Sequence, residues 1–390
     1  MAKKLPFILV VSIIASILLN PIIPLGAKQI IFATSTTIKS IVLFLLPFII
    51  FGLLFKTFVK LSEHALSVVI LIFGCLCLSN FFNTFVTHYI ASLFYYFDFN
   101  VGAPIEITDP LVPYFSFEIP RIIKNEYALF GGIIAGVSAA TVNKTLALQM
   151  AERVNFYIGK LFAVISFMIP LFIIGFVIKC ASEGILTSII RSYAQILFIF
   201  VVYASIYTFI AYLLVSGNLK NCIKCLKNMM PALLGAFSTV SSALTMPITI
   251  LCTEKNVKDK ELAGSTISAT VNIHLLGDCL SIPLLAYALL KHHGMPEPSL
   301  ASYFVFTIFF VIAKFSVAAV PAGGIIIMVP ILEKYLGFTP EMSSLIIAIY
   351  AIFDPFVTSF NVLGNGAFAK LIDNLNAKLN RDTDKNKNVN

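Results

Sequence analysis

Apolar residues run in long unbroken blocks along this chain, and the length of each block fixes the element it predicts. The blocks at 5–26, 38–60, 65–97, 127–150, 155–181 and 193–216 reach or approach the ~20 apolar residues that a helix needs to cross a hydrocarbon layer. They read as spanning helices. The stretch from Phe99 to Glu126 is different. It holds Pro104, Pro110, Pro113 and Pro120 with Asp109, Glu106 and Glu118, and it predicts a non-helical, extracytoplasmic connection.

Beyond residue 217 the pattern changes. The apolar stretch 229–251 is interrupted by Ser238-Thr239-Val240-Ser241-Ser242, and 300–333 is interrupted at Ala318-Ala319-Val320-Pro321-Ala322-Gly323-Gly324. Each broken stretch is followed by a long segment with polar residues at its middle. These are 262–290, with Asn272, His274 and Asp278, and 340–372, with Asp354 and Asn361. A broken hairpin and a polar helix, repeated, point to the binding site of a transporter, because irregular backbone is tolerated at membrane depth only where it is buried in protein or lines a cavity. The two hairpin tips are therefore expected to meet near the midplane.

The most informative single residue is Asp354. A charge in a spanning segment costs about 2.5–3.5 kcal/mol on insertion scales and by default marks a functional site. Thr358, Asn361 and Asn365 follow Asp354 at offsets of four, seven and eleven, which puts all four on one face of a helix. The alternative for such a stripe is a hydrogen-bonded seam between helices.

Composition agrees with a polytopic membrane protein: 59% hydrophobic, 12% charged, mean hydropathy +0.95. The apolar run after MAKK has no small-residue cleavage site before a soluble domain, so it reads as the first spanning helix rather than a signal peptide. The net charge of +8 is no nucleic-acid signature, since its Lys and Arg residues gather in short loops and at both ends. Eight spans, two re-entrant hairpins and a cytoplasmic N-terminus place most of them inside, as the positive-inside rule requires. The seven cysteines make no disulfide framework, and one CxxC, Cys222 and Cys225, is weak evidence for metal or redox chemistry. His64, His88, His292 and His293 lie near segment ends and are expected at the interface.

Three motifs carry a resemblance. GAFSTVSSALTMPITI (235–250) resembles the serine-rich first hairpin of the dicarboxylate/amino acid:cation symporter family, the glutamate transporters. AAVPAGGIIIMVPIL (318–332) is similar to that family's second hairpin, and DPFVTSFNVLGNG (354–366) to its last helix. Their order and spacing match; the N-terminal half matches in hydropathy and helix count. The resemblance implies an all-α membrane protein of eight transmembrane helices plus two re-entrant helical hairpins, arranged as inverted repeats. Residues 1–62 would give scaffold helices 1 and 2, 63–98 helix 3 of a transport domain, and 99–190 the extracytoplasmic connection with scaffold helices 4 and 5. Residues 191–375 would give helix 6, hairpin 1, helix 7, hairpin 2 and helix 8 of the transport domain, and 376–390 a disordered cytoplasmic tail. It further implies an elevator motion, a homotrimer, membrane lipid as surroundings, and a small-molecule substrate that is an amino acid or carboxylate.

Carried over by position, Ser241, Ser242, Val320, Pro321, Asp354, Val357, Thr358 and Asn361 would bind substrate. Asp354 would take the amino group and Asn361 the α-carboxylate. Ser79, Asn80, Asn272, His274, Asn361 and Asn365 would serve the coupling ion. The departures matter most. Where acidic-substrate members have an arginine the chain has Val357, and the alternative hairpin position is Val240. A buried substrate carboxylate without a cationic partner is heavily penalised, so the expected substrate is a neutral amino acid. The family's Asn-Met-Asp-Gly-Thr becomes Asn272-Ile273-His274-Leu275-Leu276, and Asn365 replaces a second ion-binding aspartate. Sodium coupling is thereby weakened. His274 admits two readings, a proton carrier or a neutral side chain hydrogen-bonded within the bundle. No cofactor is expected beyond Na+ or H+.

An enzyme is not expected. Asp278 and Asp354 lack the flanking pattern of an intramembrane aspartyl protease, and no HExxH or GxSxG occurs. The competing readings are an uncoupled uniporter or exchanger, a substrate-gated channel, and a non-transporting relative. The absence of Trp and the Ile-, Asn- and Lys-rich usage suggest an AT-rich bacterial genome, hence a bacterial cytoplasmic (inner) membrane with both termini cytoplasmic.

Overall fold

The computed structural model describes residues 5–61, 66–96, 110–117, 119–120, 122–184, 186–317 and 322–387. Every regular element among them is a helix: α1 (Leu5–Leu19), α2 (Leu25–Leu61), α3 (Leu66–Tyr96), α4 (Asn125–Val142), α5 (Lys144–Ser182), α6 (Leu186–Ser216), α7 (Leu219–Thr239), α8 (Ser242–Thr253), α9 (Lys260–Thr270), α10 (Leu276–His292), α11 (Leu300–Lys314), α12 (Gly323–Leu336) and α13 (Pro340–Lys387). Among the described residues, five helices are long and apolar enough to cross a membrane, within α2, α3, α5, α6 and α13. The chain is a multi-pass membrane protein.

The helices form two groups. In the first, α2 lies against both α4 and α5, and α1 packs on α5. In the second, α13 is the axis: α6, α7, α8, α9, α10 and α12 pack around it, and α3 covers α10 and α11. The groups meet along a seam where α13 touches α1 and α5 and where α2 reaches α3 and the chain after α11: the Thr57 hydroxyl donates to the Phe315 carbonyl at 3.3 Å, and Phe58 packs on Phe73 and Phe315. Lys39 of α2 reaches across that seam to the Pro340 carbonyl at 2.5 Å and the Ser344 hydroxyl at 2.8 Å. The described part of the polar connection, 110–117, is non-helical as expected. It is held by Leu111 N–H on the Glu183 carboxylate at 3.0 Å and by Tyr114 N–H on the Gln29 carbonyl at 3.2 Å.

Several boundaries differ from the sequence expectation, each for a local reason. The first block ends at Leu19, because Pro21 and Pro24 cannot continue a helix, and α2 already begins at Leu25. The break between α4 and α5 falls at Asn143 rather than past residue 150. The Asn143 side chain accepts from Leu146 N–H at 3.0 Å and caps α5. The segment 262–290, expected as one helix, is split over Val271–Leu275 into α9 and α10. Neither Gly nor Pro lies in that split. Instead Asn80 of α3 donates to the freed Ile273 carbonyl at 3.0 Å, so a partner on another helix satisfies the break. Residues 376–387, expected as a disordered tail, continue α13 to Lys387.

The backbones of α10 and α13 nearly touch. A Cβ added to Gly277 would stand 2.1 Å from the Val357 carbonyl oxygen, a backbone atom with little freedom to yield. Small residues permit this kind of approach between membrane helices. Gly277→Ala is therefore expected to force α10 off α13 and to destabilise the folded protein by about 1–3 kcal/mol. A thermal melt of the purified variant in detergent checks this; an unchanged melting temperature would show that the two helices separate freely.

Candidate functional site

Both hairpins turn on a strained residue. Among the described residues, two non-glycines have positive φ, and one sits at each tip. Val240 (φ 49°, ψ 38°) ends α7, and Ala322 (φ 58°, ψ 7°) begins α12. A left-handed β-branched residue is rare, and such backbone costs on the order of 1–3 kcal/mol, which native structures keep mainly at functional sites. At the first tip Ser241 caps α8, accepting from Leu244 N–H at 3.4 Å, while Thr239 and Thr245 bond to each other at 2.9 Å. Ser241 and Ser242 are buried. At the second tip no side chain of the preceding residue caps α12.

Carboxylates from neighbouring helices take that role. Asp354, in α13, accepts from Ala322 N–H at 2.6 Å on one oxygen and from the Thr358 hydroxyl at 3.1 Å on the other. Asp278, in the first turn of α10, lies against Gly324 so closely that a Cβ there would come within 2.4 Å of Asp278 Oδ2. Negative charge at a helix N-terminus is favourable, and both carboxylates converge on the start of α12.

Their charges are treated differently. Asp278 Oδ2 receives the Lys314 ammonium at 2.6 Å, and Asp278 Oδ1 accepts from the Tyr350 hydroxyl at 2.8 Å and the Asn361 amide at 3.1 Å. Lys314 ends α11, with Nζ 4.9 Å from the centre of the Phe310 ring. Its side chain is 0% exposed and that of Asp278 2%. Asp354 is equally buried, but its hydrogen-bond partners are a neutral N–H and a neutral O–H, and no ion pair to it occurs among the described residues.

The residues expected to serve the coupling ion cluster around the α9–α10 break. His274 Nε2 lies 3.0 Å from the Ser79 hydroxyl, its ring stacks on Phe368 at 4.4 Å, and its Nδ1 is buried without a partner. Asn272 Oδ1 is likewise buried and unpartnered. Asn365 donates to the Asn361 carbonyl at 3.0 Å and accepts from the Thr270 hydroxyl at 3.3 Å. Asn83 donates to Ser79 at 3.2 Å and accepts from the Tyr207 hydroxyl.

The stripe Asp354, Thr358, Asn361 and Asn365 thus lies on one buried face of one helix, and Val357 is fully buried beside it. Val320 and Pro321 lie outside the described residues. Both ends of the Asn361 amide meet Asp278, with Asp278 N–H on Asn361 Oδ1 at 3.3 Å. Sequence reasoning did not bring Lys314, Asp278 and Tyr350 together. The signal was present, because one lysine and one aspartate stand in consecutive apolar segments where each needs a partner. His88 is buried rather than interfacial, stacked on Tyr303 at 3.9 Å. Beyond that end of α10, Lys291 at 2.5 Å and the Tyr287 hydroxyl at 2.7 Å hold the Glu297 carboxyl below the usual carboxylate range. His64 lies outside the described residues.

Residues 127–375, well over half of the chain, match the model of the sodium:dicarboxylate symporter family. Excitatory amino acid transporter 3 of Mus musculus is 30% identical over 172 residues, covering 44% of this chain and 32% of the relative. Excitatory amino acid transporter 1 of Homo sapiens is 27% identical over 249 residues, covering 62% of this chain and 45% of the relative. The matches thus cover less than half the length of these relatives. The matched region holds both hairpins, both carboxylates and the α9–α10 break, and the chain belongs to the sodium:dicarboxylate symporter family.

Proposed function

We propose that this protein is a secondary active transporter that carries a neutral amino acid across the membrane by an elevator motion. The observation that carries the reading is the unequal treatment of two buried carboxylates. Asp278 has a cation of its own in Lys314; Asp354 has none among the described residues. An ionised carboxylate held in a dry site is costly until a cation arrives. The ammonium of an amino acid supplies that cation, displacing or sharing the Ala322 N–H. The N-terminus of α8, with Ser241 and Ser242 at hairpin 1, is suited to the α-carboxylate, since half-helix N-termini favour anionic groups at membrane depth. Asn361, bonded at both ends of its amide to Asp278, would orient the Asp278 carboxylate. Val357 and Val240 leave the side-chain end of the site without a positive charge, and Lys314 is already spent on Asp278.

The remainder of the reading follows the family. Eight spans and two re-entrant hairpins would form a scaffold of α1, α2, α4 and α5 and a transport domain of α3 and α6–α13, assembled as a homotrimer in a bacterial cytoplasmic membrane with both termini inside. The substrate reading is tested in proteoliposomes by competition against a labelled neutral amino acid. Serine or alanine is expected to compete at least ten times better than aspartate, glutamate or a plain dicarboxylate. Asp354→Ala is expected to abolish binding while the oligomer survives, because removing one partner of a desolvated charge pair costs about 2–5 kcal/mol. Tighter binding of aspartate, or binding by Asp354→Ala within threefold of wild type, would contradict the reading. Downhill flux without accumulation would favour a uniporter or channel.

Coupling is assigned to protons, with His274 as carrier. Its Nδ1 is an orphaned buried polar atom next to an imidazole nitrogen already facing Ser79, and no charged group contacts the ring among the described residues. An orphan of this kind costs about 1–3 kcal/mol, which a conformation offering it a partner would relieve. Uptake is expected to follow an inward pH gradient, to persist in sodium-free buffer and to lose its pH dependence in His274→Gln. Sodium-driven accumulation indifferent to pH would contradict this assignment.

A further inference from the structure

We propose that the Lys314 ammonium is a tethered cation: it occupies a buried cation site between α10, hairpin 2 and α13, so that the hairpin closes without binding a free ion there. The inference deepens the transport reading and rests on it for its meaning in a transport cycle, although the site itself stands on geometry alone.

The surroundings of Nζ are those of a cation site. Asp278 gives Nζ a carboxylate oxygen at 2.6 Å, and its other oxygen is held by the Tyr350 hydroxyl and the Asn361 amide, all of them buried. Ser281, three residues beyond Asp278 on α10, and Ser316, two residues beyond Lys314, each bury a hydroxyl with no partner. A buried carboxylate shut away from water requires a cation beside it. Here a covalently attached ammonium sits at 2.6 Å. The placement also ties the cation to hairpin 2. Lys314 ends the first arm of hairpin 2, and Gly324, pressed against the same carboxylate, begins the second. Asp278 therefore ties both arms to α10 only if its charge is matched. A free ion would have to be recruited in each cycle and would draw on its gradient; a lysine does neither.

The test is a set of thermal melts of full-length protein in detergent, in sodium chloride against choline chloride at equal ionic strength. Lys314→Ala removes the tethered charge and leaves Asp278 needing an outside cation. Its melting temperature in choline is expected to fall by at least about 5 °C, and sodium or methylammonium is expected to restore most of the loss. The charge-neutral pair Asp278→Asn/Lys314→Met is expected to fold in both salts with no sodium shift beyond that of wild type. The inference is overturned if wild type and Lys314→Ala respond to sodium alike, if the neutral pair gains a sodium response, or if Lys314→Ala fails to fold in either salt. None of these melts requires transport. A protein that shows the sodium-rescued melt but moves no amino acid in proteoliposomes would keep the cation site and lose the transport reading.

Discussion

The Lys314 ammonium and the Asp278 carboxylate meet at 2.6 Å with both side chains shut away from solvent, and four helices converge on that contact. α10 supplies the acid, α11 the base, α12 presses Gly324 against the carboxylate, and α13 adds Tyr350 and Asn361. Breaking such a pair by removing one partner typically costs 3–5 kcal/mol, because the other charge is left uncompensated. The pair does little for net stability compared with an apolar replacement. It joins both arms of hairpin 2 to α10 through one carboxylate, while Asp354 has no ion pair among the described residues.

That asymmetry organises the rest of the site. Asp354 accepts one N–H from Ala322 and one hydroxyl from Thr358, and under the proposed function a ligand ammonium would share or displace these partners. The residue supplying the N–H is itself strained, as is Val240 at the opposite tip. Strain held at both tips is consistent with segments that adopt a second conformation when the site fills or empties.

Much of this arrangement was legible in the sequence. Block lengths gave the helical class, the interruptions at 238–242 and 318–324 located both tips, and the offsets from Asp354 gave the buried stripe on α13. What was not legible depends on partners remote in the chain. The split between α9 and α10 has no breaker in its own sequence; it exists because Asn80, nearly 200 residues earlier, takes up the Ile273 carbonyl at 3.0 Å. Asn361 reads as a substrate ligand by position, yet its amide is claimed by Asp278 from another helix. The pairing of Lys314 with Asp278 follows the same rule: each residue announces a need, but only the fold shows which group meets it.

Under the proposed function, His274 and Asn365 in place of charged ion ligands, Val357 and Val240 in place of a cation, and the internal cation at Lys314 would make one change in charge distribution, with Asp354 as the carboxylate left for cargo. The most direct test is an experimental structure with a bound neutral amino acid. The account predicts the ligand nitrogen within hydrogen-bonding distance of Asp354, with Lys314 still on Asp278. A ligand seated on Lys314 or Asp278, with Asp354 still bonded only to Ala322 and Thr358, would contradict it.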